Sequence, residues 1–338
     1  MPALPSCEKG FRAAKDGGGF LENLSLQMRG AALSTLAALL SACGSSGIAS
    51  SSASLTSRAP ARQSAPEARS TQVVYVPDLA LNQVTTYGMD GRRTPLTITQ
   101  NIVQPFGVAV DANGKIYVTN DGTGEVTTYL PDGTPTTPTI SGLQIPAGIA
   151  VDRHGKIYVV DPGYASCYFG SVKTFNPDGS PATPTISIDG QPEGVAVDWS
   201  GKIYVSSYCA GPSGIGEVTA YNPDGTPTKP TITDRQGIIN PLGMTIAGGK
   251  LLVADNSGGL WWGSVTTYRL DGKPTTPTIS QKINGPMGVA VSRNGKIFVS
   301  NSLSGKYGNV TIYLPNGTRI KPMIINGIRQ PGFIAISP

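Results

Sequence analysis

From residue 71 onward, short runs of Val, Ile, Ala and Tyr are broken by turns rich in Gly, Pro, Asp and Asn, a pattern of short strands rather than helices. The clearest run is a glycine, a small apolar strand, a turn and then G-K-I-Y-V. It reads GVAVDANGKIYVTN (107–120), GIAVDRHGKIYVVD (148–161), GVAVDWSGKIYVSS (194–207), GMTIAGGKLLVAD (243–255) and GVAVSRNGKIFVSN (288–301). A sixth Gly-led run, Gly332 to Ile336, has no G-K-I-Y-V partner after it, but VVYVPD (73–78) supplies one at the other end of the array. Successive glycines lie 41, 46, 49, 45 and 44 residues apart, and the intervals hold further strand-like runs such as EVTTYLPDG (125–133) and TPTI (137–140).

Four short strands every 41–49 residues predict an all-β six-bladed β-propeller with four antiparallel strands per blade. The array starts on a second strand and ends on a first. One blade must therefore combine residues 73–100 with 332–336, so that the C-terminal strand pairs with the N-terminal blade and no open edge remains. Gly107, Gly148, Gly194, Gly243, Gly288 and Gly332 then lie where inner strands crowd the axis. Prolines such as Pro135, Pro138, Pro181 and Pro184 flank the outer strand, where they withhold ladder donors and discourage edge-to-edge association. P-D-G and L-D-G (131–133, 177–179, 223–225, 270–272) supply the turns between third and fourth strands.

The pattern P-x-G-V-A-V-D…G-K-I-Y-V-x-[DN] resembles the NHL-type repeat of six-bladed propellers and covers residues 73–336. The wider superfamily includes gluconolactonase-like hydrolases, peptidyl-hydroxyglycine lyases and virginiamycin B lyase-like proteins. The resemblance implies a fold and leaves function open, because this architecture hosts binders and enzymes alike.

Composition agrees: 43 Gly and 28 Pro with only 14% charged residues exclude a helical bundle, and 39% hydrophobic residues exclude simple disorder. The net charge of +5 points to nucleic acid until it is divided by region. Residues 71–338 carry 19 basic and 17 acidic groups with no basic stripe, so no nucleic-acid partner is expected. Much of the excess lies in residues 1–70. There, MRGAALSTLAALLSAC (28–43) puts one arginine before an apolar stretch whose thirteen residues, Gly30 to Ala42, cover about two-thirds of a ~30 Å hydrocarbon core. That is a signal-peptide pattern rather than a membrane span. Its ending, Leu40-Ser41-Ala42-Cys43, resembles the lipobox of bacterial lipoproteins, which implies lipidation at Cys43 and a start at Met28. The expected organisation is a leader at 1–42, a Ser/Ala-rich disordered tether at 43–70 and a propeller at 71–338. The expected protein is exported to the cell envelope and anchored to a membrane as a monomer.

Candidate chemistry concentrates on one face. The loops joining second to third strands vary and lengthen from the third one on, carrying Tyr164, Tyr168 and Phe169, then Tyr208, then Trp261 and Trp262, then Tyr307. Seven aromatics on one rim suit a carbohydrate, a peptide or an envelope protein, unless the rings fold back to pack their own loops. Cys167 and Cys209 fall in neighbouring loops and suggest a disulfide in an exported protein, with two free thiols the alternative. Second strands end in Asp78, Asn120, Asp161, Ser207, Asp255 and Asn301, read first as residues capping local Asx turns. A divalent cation such as calcium is the alternative. The gluconolactonase resemblance implies a metal at the channel mouth, and Glu193 in QPEGVAV, with Asp161 or Asp255, is the candidate ligand set and catalytic group. Its counterparts Phe106, Ala147, Leu242 and Met287 are not ligands. Lyase relatives rely on histidines, whereas this chain has one, His154, in a surface turn on the opposite face. The sequence therefore favours a binding module over an enzyme.

Overall fold

Strands of the type I-Y-V-x-x are apolar almost without a break because both of their faces are covered, which the alternation of a half-exposed sheet would not allow. In the structure, a computed structural model describing residues 72–163, 169–209, 215–257, 263–302, 307–324 and 327–338, every residue of Ile116–Asn120, Ile157–Asp161, Ile203–Ser207 and Ile297–Asn301 is buried. These second strands each sit inside a four-stranded antiparallel sheet. In the first such blade the order outward is Pro105–Val110, Ile116–Asn120, Glu125–Tyr129 and Pro135–Ile140. Blades two to five begin at Ile149–Val151, Pro192–Val197, Pro241–Ala247 and Pro286–Val291 and repeat that order. The sixth sheet runs Ala335–Ile336, Val73–Asp78, Gln83–Gly88, Arg93–Ile98, with Val74 opposite Ile336 and Tyr75 opposite Ala335. The six-bladed ring and its closure are as the repeat predicts.

There is no single core. Apolar side chains gather in the seams: Tyr75, Val84 and Ile98 of blade six pack with Val108, Ile116, Val118 and Tyr129 of blade one. Leu252, Val265 and Ile279 of blade four pack likewise with Val289, Ile297, Val299 and Tyr313 of blade five. Each fully buried Val, Ile or Leu there contributes about 1.5–3 kcal/mol of transfer free energy, so the seams hold the ring together.

The Gly and Pro of the repeat meet across these seams. A Cβ on Gly179, Gly225 or Gly272 would stand 2.4–2.5 Å from Pro138, Pro184 or Pro230 of the preceding blade. The second proline of these three outer strands is thus a contact surface, which goes beyond the edge protection expected of it; Pro138, Pro184 and Pro230 are buried and follow cis peptide bonds. On the opposite face, Gly170, Gly216, Gly263 and Gly308 would each bring a Cβ to 2.1–2.5 Å from Pro192, Pro241, Pro286 and Pro331 of the next blade. The lysine of the G-K-I-Y-V run also has a task. Lys156 and Lys250 donate from Nζ to the carbonyls of Thr183 and Thr276, and Lys202 to that of Lys229, each just before an outer-strand proline.

Candidate functional site

The ring of polar residues at the ends of the second strands is structural, though not in the local way expected. Five of its six members reach back to the crossover that enters their own blade, Asp78 also accepting from the amide of Ala80 at 3.1 Å, whereas the buried hydroxyl of Ser207 makes no such bond. Asp161 accepts from the amides of Gln144 and Ile145 and from Lys173 Nζ at 2.7 Å. Asp255 accepts from the amide of Asn240 at 2.8 Å, Asn120 from that of Val103 at 3.0 Å, and Asp78 from those of Arg329 and Gln330. With these oxygens occupied, Asp161 and Asp255 are poor partners for Glu193 around a cation. Among the described residues no three His, Cys, Asp or Glu side chains come together.

Inside this ring the inner strands converge on a neck. Added Cβ atoms on Gly107, Gly148 and Gly194 would fall 2.6, 2.5 and 2.5 Å from the carbonyl oxygens of Ala147, Glu193 and Leu242 in the next blade. Gly332, grouped with them in the sequence, does not belong to the set. The register Tyr75–Ala335 and the bridge of Asp78 to Pro331 align Pro331-Gly332-Phe333 with Pro105-Phe106-Gly107. Phe333 therefore takes the neck position that glycine holds elsewhere, and Gly332 takes that of Phe106 and Glu193. Gly332 is required for a different contact: its Cβ would lie 1.9 Å from the carbonyl of Phe106.

The consequence is a plug. The Phe333 ring crosses the axis from blade six toward blade four, where its Cδ1 lies 3.1 Å from a Cβ built on Gly243. On the blade-one side its centroid is 4.9 Å from that of Phe106, edge to face. Below it a cavity of about 330 Å³ runs from the neck glycines to the far ends of the inner strands. Thr245 is the one lining residue with a polar side chain. Above the plug is the loop side.

Glu193 stands there, the second residue of Pro192–Val197, directly before neck residue Gly194. Its Oε1 accepts from Gln191 Nε2 at 3.1 Å. Burial by the converging strands, which the Gln191 hydrogen bond opposes and the nearby Asp121 carboxylate reinforces, raises its carboxyl to about 8. Asp121, in the short loop of blade one, is also raised by burial. At neutral pH Glu193 is thus mainly protonated, able to donate as well as accept a hydrogen bond.

Of the rim aromatics, Phe169 and Tyr307 are 72% and 70% exposed. Tyr208 is half-buried, its amide donating to the carbonyl of Gln191 at 2.8 Å. Tyr164, Tyr168, Trp261 and Trp262 lie outside the described residues, as does Cys43. Cys209 is disulfide-bonded, and its expected partner Cys167 is also outside the described residues. His154 is exposed in its turn with Arg153 Nε 3.0 Å from its Nε2. Two features escaped the sequence reading: Phe333, hidden by aligning on glycine rather than proline, and Trp199, 76% exposed in the D-W-S-G turn of the face opposite the loops.

No protein-family model matches the sequence, and no curated protein matches it significantly. Solved structures share the fold. A protein of unknown function from Bacteroides caccae superposes with a TM-score of 0.62 at 12% identity over 79% of this chain and 99% of that one. A chain of a nidogen/laminin complex gives 0.61 at 15% identity over 79% and 98%. A streptogramin B lyase gives 0.54 at 13% identity over 78% and 83%. At 12–15% identity these likenesses show the propeller fold.

Proposed function

We propose that this chain is an exported, lipid-anchored, NHL-like propeller that binds a ligand or a partner protein through its loop face. The observation that carries the reading is the asymmetry of that face. Among the described residues it alone combines irregular loops, the exposed rings of Phe169 and Tyr307, and a half-buried carboxyl, Glu193, above a neck that Phe333 fills. The opposite end of the channel has no ionisable lining side chain. A propeller neighbour seen in a complex with a protein supports binding as a use of such a face. An acid–base lyase reading finds little support, since the chain's one histidine, His154, is on the far side.

Full-length protein screened on glycan and peptide arrays tests the reading. Phe169→Ala with Tyr307→Ala is expected to weaken whatever binds by about 30-fold, the effect of losing one aromatic hot spot, while thermal unfolding stays unchanged. An array pattern indifferent to both substitutions would remove the loop face as the binding surface.

A further inference from the structure

The two faces differ in charge, and the chain enters the propeller on one of them. Val73–Asp78 is a second strand, so Gln72 lies on the face of the short turns, where its Oε1 accepts from the amide of Arg293 at 2.9 Å. Ser337 lies on that face too, its amide donating to the carbonyl of Val73. Among the described residues the loop face has four cations (Lys173, Arg235, Lys282, Arg329) against eight carboxylates besides the protonated Glu193, and three of those, Asp78, Asp161 and Asp255, are buried on crossover amides. In the turns of the other face basic residues outnumber acidic ones, with Arg153 and Arg293 exposed and Trp199 76% exposed.

From these three observations we infer that the turn face lies against an anionic lipid surface, with Trp199 at the headgroup level, and that the loop face is turned away from it. The inference rests on the lipid-anchored reading and adds an orientation to it. Only 28 residues separate Cys43 from Gln72, which lies on the turn face. Within a Debye length of about 8 Å, anionic headgroups attract the basic excess of the turns, so the field favours that side. An exposed tryptophan among cationic side chains suits the interface, its apolar body and N–H group matching the boundary between acyl chains and water. The loop face, with its acids and its exposed Phe169 and Tyr307, is then free to meet a partner.

The test uses full-length protein carrying Trp261→Phe and Trp262→Phe, so that Trp199 is the sole emitter, on vesicles of phosphatidylglycerol and phosphatidylcholine in equal parts with brominated acyl chains. Flotation beside a Cys43→Ser counterpart reads the anchor, and quenching reads the face. Trp199 is expected to be quenched in the floated protein, and less so on phosphatidylcholine alone. The Cys43→Ser protein at low salt is expected to bind the anionic vesicles weakly with the same quenching, and Arg153→Gln with Arg293→Gln to lower that partitioning about 30-fold. If neither form floats, the anchor fails by itself and the low-salt arm still decides the orientation. Unquenched Trp199 in both forms overturns the inference, and so does quenching of Trp261 and Trp262 in a Trp199→Phe protein.

Discussion

Glu193 is the residue whose chemistry departs furthest from its type. Its carboxyl is raised to about 8, above the value near 4.3 expected of an unfolded chain, so the native state holds the proton more tightly. The sign follows: the group costs no stability below about pH 4, where both states are protonated, and stability falls as pH rises through the window from about 4 to 8. Glu193→Gln keeps the hydrogen bond to Gln191 and removes the ionisation. The variant is expected to match the parent in urea unfolding at pH 4 and to exceed it at pH 9 by up to about 5 kcal/mol, less where water reaches the mouth. Equal stabilities at pH 9 would mean that the carboxylate is solvated there. In the sequence Glu193 was legible as the polar member of an apolar collar, but its protonation was not, because the crowding comes from strands of other blades. Phe333 was misread for a related reason. Glycine is the conspicuous residue of the repeat, yet Pro331 holds the register, and only cross-strand pairing shows which of Gly332 and Phe333 faces the axis.

Elements are joined in the seams by two kinds of bond, and they alternate. Thr119, Ser206 and Ser300 of blades one, three and five each accept from the amide of their own neck glycine and donate to the carbonyl of Ala147, Leu242 or Gly332 in the next blade. Blades two, four and six carry Val160, Ala254 and Pro77 at that place. In two of them the main chain bonds directly, Gly148 N to the carbonyl of Glu193 and Phe333 N to that of Phe106, at 2.9 and 2.8 Å. The crossovers depend instead on the carboxylate ring. Asp161→Ala leaves the amides of Gln144 and Ile145 and the ammonium of Lys173 without their acceptor and is expected to cost about 3–5 kcal/mol in denaturant unfolding. Asp161→Asn, which keeps one carbonyl oxygen, is expected to cost less; an Ala variant as stable as the parent would show that solvent replaces the clamp. The strands themselves were legible from apolar runs and turn residues. The partners of Asp161 were not, since the amides it holds lie 16 and 17 residues upstream, outside any local turn pattern.

At the scale of the molecule, six seams and one closure account for the fold, and the closure was legible because the repeat begins and ends on different strands. It is also slight: Val74 and Tyr75 pair with Ile336 and Ala335, Gly332 N donates to the carbonyl of Pro77, and Phe333 N to that of Phe106. Removal of residues 331–338 takes away the inner strand of blade six and the plug together, leaving Val73–Asp78 as an apolar open edge. The truncated protein is expected to lose its cooperative thermal transition and to associate in size-exclusion chromatography. A monomer with unchanged melting would contradict the closure as a stabilising element. The functional face was only partly legible at this scale, because charge and exposure sort by face only after the blades are stacked.

The order of synthesis gives that closure a further meaning. Ala335 and Ile336 are made long after the strand they pair with, so blade six stays three-stranded until they have left the ribosome. Partners 260 and 262 residues apart cannot meet early, and contacts of such long range are slow to form. Until Ala335 and Ile336 arrive, the nascent protein exposes the edge of Val73–Asp78 and an unplugged axis, and a chain released before residue 331 never completes its ring.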